Sequence, residues 1–146
     1  MRVGLRRDPR GAAALEFALV APILLLLIYG AISFGLVLSV KHVMTESASE
    51  GARAAIGAQI VSGTDADQNA AYVRVAKARA TASLGIYSAN AVITPAVGVC
   101  DGAAQNTCVT VTVTYPYRAH PIIPNAPGLG LVIPSSINSV FQVQVS

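Results

Sequence analysis

Few side chains in this sequence have the type and spacing to do chemistry. Cys100 and Cys108 stand with seven residues between them, outside any Cys-x-x-Cys pattern, and His42 and His120 lie far from both. A structural zinc site takes four ligands at tighter spacing. The expected use of the cysteines is therefore a disulfide closing a short loop, and neither a metal nor a cofactor is expected. Such a bond persists in an oxidising compartment, a periplasm or the exterior. Catalysis needs a nucleophile with its base, or a metal cluster. His120 sits among prolines with no acid close by in sequence, while Asp65, Asp67 and Asp101 read as helix-cap and turn residues. The chain is not expected to be an enzyme. One carboxylate does call for an explanation. Glu16 lies just inside the N-terminal end of the apolar run RGAAALEFALVAPILLLLIYG, Arg10 to Gly30, and an acid in hydrocarbon costs roughly 2.5–3.5 kcal/mol at a helix centre.

The elements that must position these residues are set by charge and hydropathy. The chain has 146 residues, enough for one domain, and is 53% hydrophobic and 12% charged, against roughly 25% charged in an average soluble domain. Both biases are local. Residues 1–11 carry Arg2, Arg6, Arg7 and Arg10 against Asp8, a net +3, while the rest of the chain balances six basic residues against six acidic ones. A nucleic-acid binder needs its basic face on the folded part; this body is neutral, and no nucleic-acid partner is expected. From Phe17 to Val40 run 24 residues without a charge. As a helix they would reach about 36 Å, more than the roughly 30 Å of a bilayer's hydrocarbon core. A buried core helix this apolar would need a larger domain around it than the remaining residues provide, so the run is expected to span a membrane over about 17–40. Four arginines precede it and Lys41 and His42 follow it. That excess keeps the N-terminus cytoplasmic and places the C-terminal body outside, where a disulfide can form.

Beyond the span, Leu36, Val40, Val43, Met44, Ala48 and Ala55 fall near one stripe, with Lys41, Glu46, Glu50 and Arg53 between them. The spacing predicts one helix from about Ala12 to Ala55, in lipid first and packed on a head afterwards. Pro22 interrupts it, and a kink is expected there. Ser62–Asp67 has turn composition, and Asp65 with Gln68 has the capping-box spacing. A second helix should follow from about Ala66 to Leu84, with Val73, Ala76, Ala80 and Leu84 as its apolar stripe and Gly85 as its stop. The period then changes. CVTVTVTYPY alternates Val109, Val111, Val113 and Tyr115 against Thr110, Thr112 and Thr114, and SVFQVQV does the same with Phe141, Val143 and Val145; both read as strands with one buried face. A weaker strand is expected around Ala91–Val99, with DGAAQNT, Asp101 to Thr107, as a hairpin loop pinned by the disulfide. Prolines mark Tyr117 to Ser136 as irregular. The expected class is α+β: a long N-terminal transmembrane helix continuing into a small head with one further helix and an antiparallel β-sheet.

The residues around Glu16 supply its explanation. Basic residues precede Gly11, and the small or apolar Ala12, Ala13, Ala14 and Leu15 separate it from Glu16. Glycine before a scissile bond lets an extended backbone enter a narrow protease cleft. A cut between Gly11 and Ala12 would expose an α-ammonium at the membrane boundary. An ammonium and a carboxylate that have both lost solvation each gain from a partner. Glu16 can meet the amine of its own helix, one turn away, or the Ala12 amine of a staggered neighbour. In the second case subunit stacking removes two stranded charges at once.

This arrangement resembles a type IV prepilin signal. Together with SFG (Ser33–Gly35) and SASEGARAA (Ser47–Ala55) it resembles the TadE-like family, minor pilins or pseudopilins of the tight-adherence (Tad, or Flp) pilus. The residues carrying the resemblance are Arg10, Gly11, Ala14, Glu16, Phe17, Pro22, Phe34, Gly35, Glu50, Gly51, Ala52 and Arg53, within residues 10–55. The resemblance implies a pilin-like layout with a prepilin leader at 1–11, an N-terminal helix at 12–57 and an extracytoplasmic head at 58–146. It implies processing by a prepilin peptidase on the cytoplasmic side, directly after Gly11, so that Glu16 becomes the fifth residue of the mature chain. The partners would be that peptidase, other pilins or pseudopilins of the Tad pilus, and inner-membrane lipid. The function would be pilus assembly and surface adherence. Pro22, Phe34, Gly35, Gly51 and Arg53 are assigned to helix packing. Two alternatives stand equally beside this: Gly51 as a residue that only permits close approach, and Arg53 as a solvated charge. Gly30 and Gly35 are either contact positions between membrane helices or neutral in lipid. Many family members carry an acid before the Phe-Gly pair; here Ser33 stands in that place, and no intramembrane role of an acid at this position carries over. A second function class stays open, a single-pass signal-anchored protein, unprocessed, whose extracytoplasmic head binds a ligand or partner. A cleaved secretory signal fits less well, because the apolar run exceeds the about 7–15 residues of an ordinary signal core.

Overall fold

The computed structural model describes residues 9–60, 62–100, 103–122 and 134–145. They fall into two compact units, one ending at Val37 and one beginning at Leu38. Chain order is α1 (Pro9–Ile56), α2 (Asp65–Ser83), a single 3-10 turn (Gly85–Tyr87), β1 (Val92–Cys100), β2 (Ala103–Tyr115) and β3 (Ile137–Gln144). This is the α+β, pilin-like layout expected from the sequence. Most of the leader at 1–11, and the greater part of the stretch expected to be irregular between Tyr117 and Ser136, lie outside the described residues.

The first unit is helical throughout its described residues. Leu15, Phe17, Leu19, Val20 and Ile23 are all exposed, an arrangement unsuited to water and suited to lipid. This helix is long and apolar enough to cross a membrane. It stays helical on both sides of Pro22, whose missing N–H leaves the Ala18 carbonyl without its helical donor.

In the second unit the remaining turns of α1 bury Val40, Met44, Ser47, Ala48, Ala52 and Ala55. The expected stripe is thus present from Val40 onward but rotated slightly: Leu36 is exposed, Val43 is only half-buried, and Ser47 and Ala52 complete the inward face. Helix α2 begins at Asp65, one residue earlier than the expected Ala66. Thr64 holds the N-cap position with extended backbone. The Asp67 N–H donates to Thr64 Oγ1 at 3.3 Å and the Thr64 N–H donates to Asp67 Oδ2 at 2.9 Å, a reciprocal capping box. Asp65 is instead the first helical residue, where its charge favours the helix dipole. Gln68, the expected box partner of Asp65, serves the preceding turn: the Ile60 N–H donates to its Oε1 at 2.8 Å, and its Nε2 donates to the Ala58 carbonyl at 3.2 Å. Ala71, Tyr72, Ala76, Ala80 and Leu84 form the buried stripe, with Val73 at its margin. Gly85 follows with φ +55°, the left-handed conformation in which a helix commonly ends and which glycine adopts without a Cβ penalty.

The three strands form one antiparallel sheet in the order β1-β2-β3. Val111 lies opposite Pro95 on one side and Phe141 on the other. Its face carries the fully buried Val109, Val111 and Val113 with Tyr115, while Thr110, Thr112 and Thr114 face away, as their alternation predicts. Ser139 joins the buried face from β3. The loop expected over Asp101–Thr107 is shorter than its sequence suggested, because β2 already begins at Ala103. The register slips between Val99, opposite Thr107, and Cys100, opposite Ala103. That irregularity absorbs residues otherwise read as loop, a device that turn composition hides.

Both helices pack on this sheet. Thr45 Oγ1 and Ser139 Oγ are hydrogen-bonded at 3.0 Å, and Lys41 Nζ donates to the Asn138 carbonyl, which fixes α1 over β3. Helix α2 packs on β1 and β2. Tyr115 closes the end of the core by meeting Tyr87 and Tyr117 edge-on at centroid distances of 5.9 and 6.5 Å.

Candidate functional site

The processing and assembly residues of the sequence reading lie on one exposed helical stretch. Gly11 has open space around it, and Glu16 is exposed between the exposed Leu15 and Phe17. Among the described residues no hydrogen-bond or ion-pair partner faces Glu16. It is an acid on an otherwise apolar helical surface. Phe34 is exposed and Gly35 open. Ser33, which replaces the acid of the family pattern, is buried, and its hydroxyl has no hydrogen-bond partner.

The SASEGARAA stretch does different work. Ser47 donates to the Ala80 carbonyl at 2.8 Å in a fully buried hydrogen bond. Glu50 pairs with Arg79 at 2.9 Å, an exposed bridge of the kind worth little by itself. A methyl group on Gly51 would stand 2.8 Å from the Ala76 carbonyl oxygen and 2.9 Å from Ala80 Cβ. Gly51 therefore lets α1 approach the Ala76–Ala80 ridge of α2. Arg53 is exposed. Of the two halves of the family pattern, this one is an internal helix seam, built from small residues four apart, and the other is an outward apolar surface.

Cys100 and Cys108 are disulfide-bonded with Cα atoms 5.0 Å apart, tying β1 to β2 where their register slips. His120 is exposed, and its backbone carbonyl accepts the Tyr115 hydroxyl at 3.1 Å. Among the described residues no three His, Cys, Asp or Glu side chains are placed to hold a metal ion.

One concavity escaped the sequence reading. A cavity of about 460 Å³ lies between the turn after α1, the start of α2 and the start of β2, lined by Gln59, Ile60, Asp65, Asn69, Tyr72 and Thr107. Gln68 also reaches it, with both ends of its amide already engaged. Tyr72 could have been found as the one bulky residue at the start of the stripe that Ala76 and Ala80 continue at four-residue spacing. The juxtaposition of Thr107 with α2 had no local signal, since it depends on the sheet register.

A family model described as TadE-like protein matches residues 11–53. This is the family the sequence resembles, over nearly the same residues, and such a match points to a Tad pilus-associated protein. No curated protein and no solved structure matches the chain.

Proposed function

We propose that this chain is a TadE-like minor pilin, processed by a prepilin peptidase between Gly11 and Ala12 and anchored in the inner membrane by residues 17–40, with its head in the periplasm. It takes part with other pilins in assembly of a Tad pilus and so in surface adherence. The observation that carries this reading is Glu16: an unpartnered acid on an exposed apolar helix, five residues after Gly11 and inside the matched segment 11–53. Alone in lipid it destabilises the subunit. Beside an Ala12 amine of an adjoining pilin, two desolvated charges satisfy each other. The match, the exposed apolar surface and the disulfide all agree with a membrane-anchored protein whose folded unit lies outside the cytoplasm.

The intact mass of the mature chain, from cells that contain the peptidase, should begin at Ala12. A mass beginning at the first or second residue would instead favour the unprocessed signal anchor. Glu16→Gln should leave the cut intact and impair pilus assembly. Normal assembly by that variant would remove the pairing role.

A further inference from the structure

We propose that the cavity beside Tyr72 binds a neutral saccharide. The site stands on three observations. First, its walls offer mixed polar chemistry: Gln59 and Asn69 amides, the Asp65 carboxylate and the Thr107 hydroxyl, none hydrogen-bonded to another described side chain. Amides and hydroxyls both donate and accept, while a carboxylate only accepts. Adjacent sugar hydroxyls, each a donor and an acceptor, complement such a set. Second, Tyr72 is only 5% exposed, yet its hydroxyl has no partner among the described residues. The ring is packed while the hydroxyl stays open to solvent, so it can donate to or accept from an occupant in place of water. Third, the rim is already held. Gln68 accepts from the Ile60 N–H and donates to the Ala58 carbonyl, which fixes the turn carrying Gln59 and Ile60 against α2 and lowers the ordering cost of binding. Ile60 supplies an apolar wall for the C–H face of a ring.

The charge pattern selects the class. Among the described lining residues there is no cation and one carboxylate, which disfavours an anionic ligand. A cation would meet a single carboxylate at the positive end of α2. A neutral polyol meets neither obstacle. The volume lies within the roughly 300–1,000 Å³ of small-molecule pockets. This inference uses neither Gly11 nor Glu16, so it and the pilin reading can fail separately.

The test is an NMR titration of the full ¹⁵N-labelled chain, held in zwitterionic micelles without sugar headgroups, with glucose, galactose, mannose and N-acetylglucosamine. At least one sugar should give saturable shifts in the Asn69 and Gln59 side-chain amides and the Thr107 backbone. Asn69→Ala and Gln59→Ala, exposed positions on separate elements, should each weaken that binding by about tenfold while leaving the thermal transition unchanged. Glucuronate, in which a carboxylate replaces the C6 hydroxymethyl of glucose, should bind more weakly than glucose. The proposal is overturned if none of the four sugars gives saturable shifts, if both variants bind as well as the native chain, or if glucuronate binds as tightly as the neutral sugars.

Discussion

Gly51 and Tyr117 make opposite demands on single side chains. Replacing Gly51 by alanine gains about 1 kcal/mol of helix propensity. It also drives a methyl group to 2.8 Å from a backbone oxygen and 2.9 Å from a Cβ, neither at the end of a flexible chain. Overpacking of this kind costs about 1–3 kcal/mol, so the clash should win. Gly51→Ala should lower the urea midpoint of the second unit, whereas Gly35→Ala, with nothing near its added methyl, should not. Tyr117 is 2% exposed and its hydroxyl has no partner. Removing an unsatisfied buried polar atom is neutral or stabilising. Tyr117→Phe should therefore hold or raise the midpoint, while Tyr115→Phe, which deletes a hydrogen bond to the His120 carbonyl, should lower it by about 1 kcal/mol. These contrasts were not legible from the sequence. Gly51 reads there equally as family pattern and as packing space, because periodicity locates a buried stripe without locating the ridge that faces it. The two tyrosines look alike in an alternating strand end.

The start of α2 shows which local signals carry through an element and which do not. The helix, its stripe and its glycine stop were all legible, because each depends on neighbours within a few residues. The cap was displaced by one position. Asp65 and Thr64 are both good cap residues, and the choice fell to Thr64 because its box partner Asp67 sits at the third helical position. The same box makes a pH prediction. The backbone N–H of Thr64, and then its hydroxyl, hold the Asp67 carboxyl below its ordinary 3.8. A depressed folded-state pKa means that the stabilisation is fully present above about 3.8 and is lost as pH falls through the lower folded value. Asp67→Asn should therefore be less stable than the native chain at neutral pH. The gap between their urea midpoints should close only in acid below that ordinary value. A gap that persists unchanged into strong acid would show that the carboxylate charge contributes nothing to the cap.

At the scale of the whole molecule, the sequence announced two physically different parts, and each follows its own solvent. Twenty-four uncharged residues from Phe17 to Val40 produce exposed leucines and isoleucines without a described protein partner, a surface that gains by leaving water and that is long and apolar enough to cross a membrane. The alternating valines of β2 became fully buried because α1 and α2 cover that face. The cavity beside Tyr72 was illegible for the reason that the strands were legible: strand patterning is local, whereas the cavity joins residues from three elements. The two parts together predict an orientation that can be measured. In the proposed orientation the Lys and Arg asymmetry keeps the N-terminus cytoplasmic and the head outside, where the Cys100–Cys108 bond would persist because thiols are not kept reduced. Cells quenched in acid and alkylated without reductant should yield a chain with both cysteines unmodified; after reduction both should label. A head on the cytoplasmic side would give the reverse, two alkylated thiols before any reductant. A second measurement separates loss of the bond from loss of the fold. Reducing the purified chain opens a short loop, worth roughly 2–3 kcal/mol by chain entropy. Its urea midpoint should fall while a cooperative transition remains, because Val40, Met44, Ala48, Ala76, Ala80, Val111 and Val113 stay buried whether or not the sulfurs are joined.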